Sequence, residues 1–248
     1  MRFLLATLWV ITGSALTAGV YWVFLITPES TVWTLIASAL LAIVALAMAG
    51  FTASGAIAMW TYGPSLTGIR RAMRAIVAVI PAALIVWIMW WLTTNAETWV
   101  AMRSGQISAI FIARFGWADV SWLFTVIHRG AQWFRWVVAP VLSLSLIAGF
   151  MAIGWSALGQ AAWLRRASRP RALVMATVWF VLLIALPWIY LVPWRPKQLP
   201  ASSVEFAFTV AKLSVSAVLY AVGAALIAYQ VSGSPRPPLD PQESARAA

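Results

Sequence analysis

The sequence predicts an all-α polytopic membrane protein with six transmembrane helices, and three observations carry that prediction. Hydrophobic residues make up 63% of the 248 and charged residues only 9%, whereas a soluble domain carries about 25% charged residues. Six apolar runs reach the length of about 20 residues that a bilayer crossing requires. The basic residues stand in short clusters between those runs, the pattern by which membrane helices are oriented.

The first run, Phe3 to Ile26, follows Met1-Arg2 and begins like a secretory leader, with small residues at Gly13 and Ala15. Its apolar character continues through Val20, Tyr21, Trp22 and on to Ile26, so an uncleaved anchor is expected. The second, Val32 to Trp60, exceeds the hydrocarbon thickness at about 1.5 Å of rise per residue and must tilt, kink or project. The third, Ala75 to Leu92, starts straight after Arg70, Arg71 and Arg74. The fourth is read from Val137 to Leu164, the fifth from Ala172 to Val192 and the sixth from Val204 to Tyr229. Pro81, Pro140 and Pro187 fall inside runs and predict kinks, which membrane helices tolerate.

Between the third and fourth runs, Thr93 to Trp136 is too apolar for a disordered loop. Thr94 followed by Glu97 has the form of a capping box, so a helix is expected to start there. Asp119 is placed to cap a second helix, and both read as amphipathic helices lying in the outer interface. The domain organisation expected is a bundle over residues 1–230, with an external interfacial segment at 93–136, and a disordered cytoplasmic tail at 231–248. A seventh span over Ser108 to Ile127 would move the Arg165 to Arg171 cluster outside and weaken the charge bias, so six spans are preferred.

Orientation follows from the basic residues. With the N-terminus inside, Arg2, Arg70, Arg71, Arg74, Arg165, Arg166, Arg169, Arg171, Arg236 and Arg246 lie inside; Arg103, Arg114, Arg129, Arg135, Arg195 and Lys197 lie outside. Both termini are then cytoplasmic, in the inner membrane of a cell. The same balance, a net charge of +11, would suggest nucleic-acid binding in a soluble chain. Here it fits an anionic membrane surface, and no nucleic-acid partner is expected.

The most informative polar pattern lies in the sixth run. Glu205, Thr209, Lys212, Ser216, Tyr220 and Gly223 recur at steps of three and four, which puts them on one helical face. A charge within the hydrocarbon costs several kcal/mol unless it meets a partner or a wet cavity, so Lys212, Glu205, Thr209, Ser216 and Tyr220 form the candidate binding stripe. A retinal Schiff base on Lys212 would need a carboxylate counter-ion, and no Asp or Glu lies in the first five runs as read. Arg70, Arg71, Arg74, Arg165, Arg166, Arg169 and Arg171 are candidate contacts for anionic lipid headgroups on the cytoplasmic face.

Gly13 with Thr17, Gly50 with Ser54, Ser145 with Gly149 and Ala152 with Ser156 have the small-residue spacing of close helix contacts. Trp60, Trp90, Trp91, Trp133, Trp136, Trp163, Trp188 and Trp194 read as an aromatic belt. Pro193 to Pro200 reads as a stiff basic external loop. The chain has no Cys and one His, which excludes thiolate metal sites, Cys nucleophiles and a haem held by two His of this chain. No metal, cofactor or catalytic constellation is expected. The function expected is a non-enzymatic accessory or structural subunit of a membrane assembly, with protein partners and the lipid bilayer around it. The alternative is a small-solute or ion transporter using the sixth-run stripe.

Overall fold

In the computed structural model of the protein, residues 1–28, 30–117, 119–160, 162–191 and 202–232 are described, and every regular element among them is helical. Helices α1 (Arg2–Ile26) and α2 (Val32–Thr61) form the first hairpin. Next come α3 (Leu66–Arg74), a 3₁₀ turn (Ala75–Ala78), α4 (Val79–Met102) and α5 (Ser104–Phe115). The chain continues as α6 (Ser121–Trp133), a π-helical turn (Phe134–Val138), α7 (Ala139–Ile153), α8 (Ser156–Gly159) and α9 (Ala162–Ala167). It closes with α10 (Pro170–Phe180), π-helical turns at Val181–Ala185 and Pro187–Leu191, and α11 (Ser202–Ser232). Six of the resulting helices are long and apolar enough to cross a membrane: Arg2–Ile26, Val32–Thr61, Leu66–Met102, Ser121–Ile153, Pro170–Leu191 and Val204–Ser232. The protein is thus an all-α, multi-pass membrane protein.

The Ser121–Ile153 span is the centre of the bundle, with 61% of its most apolar stretch buried against 28% or less in every other span. The small residues explain how the others approach one another. A Cβ on Gly55 would lie 2.1 Å from the Trp9 indole nitrogen, and one on Gly13 2.2 Å from Thr52 Oγ1, so α1 and α2 meet through glycine. The Trp9 indole N–H donates to the Thr52 carbonyl at 3.2 Å across the same contact. A Cβ on Gly50 would stand 2.7 Å from Val79 Cβ, while the buried Ser54 hydroxyl donates to the Ala72 carbonyl at 3.0 Å. Ser143 repeats this bond on the Ala82 carbonyl at 3.0 Å. These side chains satisfy their hydroxyls across helices, where lipid tails offer no partner.

Each intrahelical proline stands downstream of a departure from α geometry. The 3₁₀ turn Ala75–Ala78 precedes Pro81, the π turn Phe134–Val138 precedes Pro140, and the π turn Val181–Ala185 precedes Pro187. A proline lacks the N–H for the carbonyl four residues back and its ring crowds that carbonyl, so the preceding turn shifts register to accommodate it. The prolines therefore mark local departures from α geometry, as tightened or widened turns.

Four boundaries differ by more than three residues from those read in the sequence, the first being the start of the third span at Leu66 instead of Ala75. The third span does not end at Leu92: α4 runs unbroken to Met102, because nothing between Thr93 and Met102 breaks a helix. Thr94 is therefore interior and does not cap, and Glu97 lies in the last turns of the continuous helix α4 rather than at a helix start. The fourth span starts at Ser121 and stops at Ile153, since Gly154 adopts φ +64° and ψ −144°, a conformation glycine alone takes readily. The apolar stretch after it folds into the short helices α8 and α9 instead of extending the span. At the proposed seventh span, Gly116 ends α5 at φ +67°, and a new helix begins only at Ser121. There the N-cap is Val120 with no side-chain cap, so Asp119 does not cap; it stands one residue earlier and accepts from the Ser121 N–H at Oδ1 (2.8 Å) and from the Ser121 hydroxyl at Oδ2 (2.9 Å). Those bonds hold the Asp119 carboxyl below the usual carboxylate range, the backbone bond first. The Pro193 to Pro200 loop and the tail from residue 233 lie outside the described residues.

Candidate functional site

Two polar groups stand out in the apolar bundle. The first is the stripe on α11, which the structure splits. Lys212 is buried, 8% exposed, with Nζ 5.0 Å from the centroid of the Phe208 ring. Ser216, one turn on, is half-buried, and its hydroxyl has no hydrogen-bond partner. Glu205, Thr209 and Tyr220 are exposed on the surface of the bundle. Regular helix from Ser202 to Ser232 keeps the spacing intact, yet the five side chains do not converge on an enclosed site. The stripe runs along a rim, with Lys212 tucked under it. Further along α11, Ala221, Ala225, Ala228 and Val231 are buried. There Trp60 donates its indole N–H to the Ala225 carbonyl at 2.9 Å and sets its ring 4.7 Å from Tyr229. Trp60 thus clamps α2 to α11 and is not a plain belt residue; the Trp133 indole likewise donates to Thr177 Oγ1 at 2.8 Å.

The second group joins α4 to α6 and the π turn. Arg135, in that turn, is 9% exposed. Its Nε donates to Thr93 Oγ1 at 2.7 Å and one terminal nitrogen donates to Thr94 Oγ1 at 3.0 Å. The same nitrogen forms a short ion pair with Glu97 Oε2. The other carboxylate oxygen, Oε1, lies 2.6 Å from His128 Nδ1. A carboxylate only accepts hydrogen bonds, so the imidazole Nδ1–H is the donor. The Trp90 ring lies 5.0 Å from the guanidinium carbon and packs edge-on against Trp136 with centroids 5.6 Å apart. The result is a chain His128–Glu97–Arg135–Thr93/Thr94 in which a buried cation has both a carboxylate and neutral acceptors, as a charge away from water requires.

Sequence reading put Glu97 and Arg135 in the segment between the third and fourth runs and gave His128 no role; the structure sets Glu97 and Arg135 within continuous helical stretches and joins them to His128. The signal was present as spacing: Trp90, Thr93, Thr94 and Glu97 share one face once α4 is continued, and His128 and Arg135 stand two turns apart. The π turn before Pro140 then decides which way Arg135 points.

Among the headgroup candidates, Arg71 is already engaged: its guanidinium donates to the Tyr62 hydroxyl at 2.7 Å and lies 4.7 Å from the ring centroid. Arg70, Arg74, Arg165, Arg169 and Arg171 are exposed, and none of them has an ion pair among the described residues. The Arg166 side chain lies outside the described part of the structure. Among the described residues no group of three or more His, Asp or Glu is arranged to hold a metal ion. Phe111 and Phe115 of α5, Trp117 after it and Trp122 of α6 form a run of rings with centroids 5.2–5.5 Å apart, and no residue of α5 is buried.

No family model, no curated protein and no solved structure matches the chain.

Proposed function

We propose that the chain is a non-enzymatic accessory subunit of a membrane assembly, which docks against a different membrane protein along the α11 face carrying Glu205 and Thr209. The observation that supports this is the exposure of those two polar side chains on a helix long and apolar enough to span a membrane. Lipid tails cannot hydrogen-bond a carboxyl or hydroxyl, and neighbouring transmembrane helices are the usual source of partners. Helix α5 adds to the case, because a helix of 12 residues with none buried gains little stability without a surface to lie against. The reading includes the inner membrane of a cell with both termini cytoplasmic, supported by the bias of basic residues toward that side.

The test is gentle-detergent purification of the tagged chain from its own host, with native mass and co-purifying chains identified, beside the double variant Glu205→Leu/Thr209→Leu. The expected result is stoichiometric partner chains that the variant loses while it stays folded. A lone monodisperse species, or partners retained by the variant, overturns the reading.

A second reading is a carrier for a small solute or ion, favoured by the burial of Lys212 beside the unpartnered Ser216 hydroxyl. Under it, Lys212→Met abolishes transport; under the first reading, the same substitution leaves assembly nearly intact.

A further inference from the structure

The π turn before α7, together with α7, α9 and α10, lines an open apolar groove of about 250 Å³. Val138 and Leu142 form one wall, Leu164 and Leu173 the others, and Arg165 and Ser168 are the polar members of the lining. The volume falls below the roughly 300–1,000 Å³ of a drug-sized ligand pocket, and the carbon lining offers such a ligand few groups to orient it. A single aliphatic chain needs no such groups.

Charge decides what that chain is attached to. Arg165 lines the groove and is exposed, with exposed Arg169 and Arg171 close by in sequence. The sequence from Val120 to Val204 contains no Asp or Glu at all, so no carboxylate of that stretch can neutralise them. A basic residue beside an apolar slot on a membrane protein is matched by a molecule with an anionic head and an aliphatic tail. We propose that this groove holds one acyl chain of an anionic phospholipid whose phosphate is bound by Arg165. Arg169 and Arg171 add longer-range attraction for the headgroup, and the lipid ties α9 to the central span.

The test uses the full chain reconstituted in nanodiscs of equimolar phosphatidylcholine and phosphatidylglycerol, extracted in mild detergent and weighed by native mass spectrometry. The expected result is one retained phosphatidylglycerol per chain in preference to phosphatidylcholine. A basic residue near a membrane surface contributes about 1 kcal/mol toward an anionic lipid, so Arg165→Gln should lower that preference about fivefold, at about 1.4 kcal/mol per tenfold. Leu142→Trp fills the groove and should remove the retained lipid whatever its headgroup. Inorganic phosphate should not displace it; displacement would assign the site to a free anion and overturn the acyl-chain assignment. Equal retention of both lipids, or undiminished retention by Arg165→Gln, overturns the proposal. Because Arg165 is exposed, that variant leaves the core untouched and its result stands even if Leu142→Trp fails to fold.

Discussion

The two polar groups of this bundle place their side chains differently. Around Arg135 the compensation is internal: Glu97, Thr93 and Thr94 meet the guanidinium, and His128 meets the far side of the carboxylate. Along α11 the chain buries Lys212 and leaves Glu205, Thr209 and Tyr220 exposed. The first arrangement is complete in one chain and holds α4 to the central span. The second leaves Glu205, Thr209 and Tyr220 on the outside of the bundle. A bilayer penalises exposed polar groups, so the difference is between a clamp closed within the chain and the exposed polar face for which docking is proposed above.

That contrast predicts a graded set of effects. The largest belongs to Glu97→Leu, which leaves the Arg135 guanidinium buried without its carboxylate; losing one partner of a buried pair costs about 3–5 kcal/mol, read as a fall in thermal stability in detergent. The double variant Glu97→Leu/Arg135→Met should recover most of that loss, since replacing both charges removes the uncompensated one. If Glu97→Leu unfolds no more easily than the parent, the clamp is not structural. Gly50→Ala comes next: its Cβ would press on Val79 Cβ at 2.7 Å, and overpacking of this kind costs about 1–3 kcal/mol in the same melting experiment.

Glu205→Leu/Thr209→Leu should shift stability by no more than about 0.5 kcal/mol, because both side chains are exposed and surface substitutions away from special features usually stay in that range. A drop as large as that of Glu97→Leu would show that the two groups are alike and that α11 is also closed within the chain. The smallest effect concerns Asp119. Its carboxyl is held below the usual range by the Ser121 bonds, so its folded-state value is depressed. Such a group stabilises the folded state above its unfolded value and loses that contribution as pH falls through the folded value. The protection factor of the Ser121 amide, its exchange rate relative to the unstructured rate at the same pH, should therefore fall on acidification below the ordinary carboxylate range, and Asp119→Asn should remove that pH dependence.

The six spans were legible in the sequence because hydropathy over about 20 residues is a one-dimensional signal. The proline positions were legible for the same local reason, and so were the small residues at Gly13, Gly50 and Ser54. The end of the fourth span was misread because the apolar character of Trp155 to Leu164 outweighed Gly154, whose positive φ is visible only once the chain is folded. The Arg135 site was not legible as a site. Its ion pair joins residues 38 apart in sequence, and the local form of Thr94 and Glu97 imitated a helix start where the helix in fact continues. On α11 the spacing of the stripe was read correctly, but spacing alone does not say which side of a helix its neighbours cover. Only the packing of the other helices divides Lys212 from Glu205 and Thr209.

The docking role of α11 is tested most directly by photo-crosslinking in membranes of the native host, with a photoactivatable residue at Thr209 and a control at the exposed Val178 of α10. The account predicts a discrete crosslink from position 209 to another membrane protein and only lipid adducts from position 178. Lipid adducts alone at position 209, or a crosslink to a second copy of this chain, would contradict it.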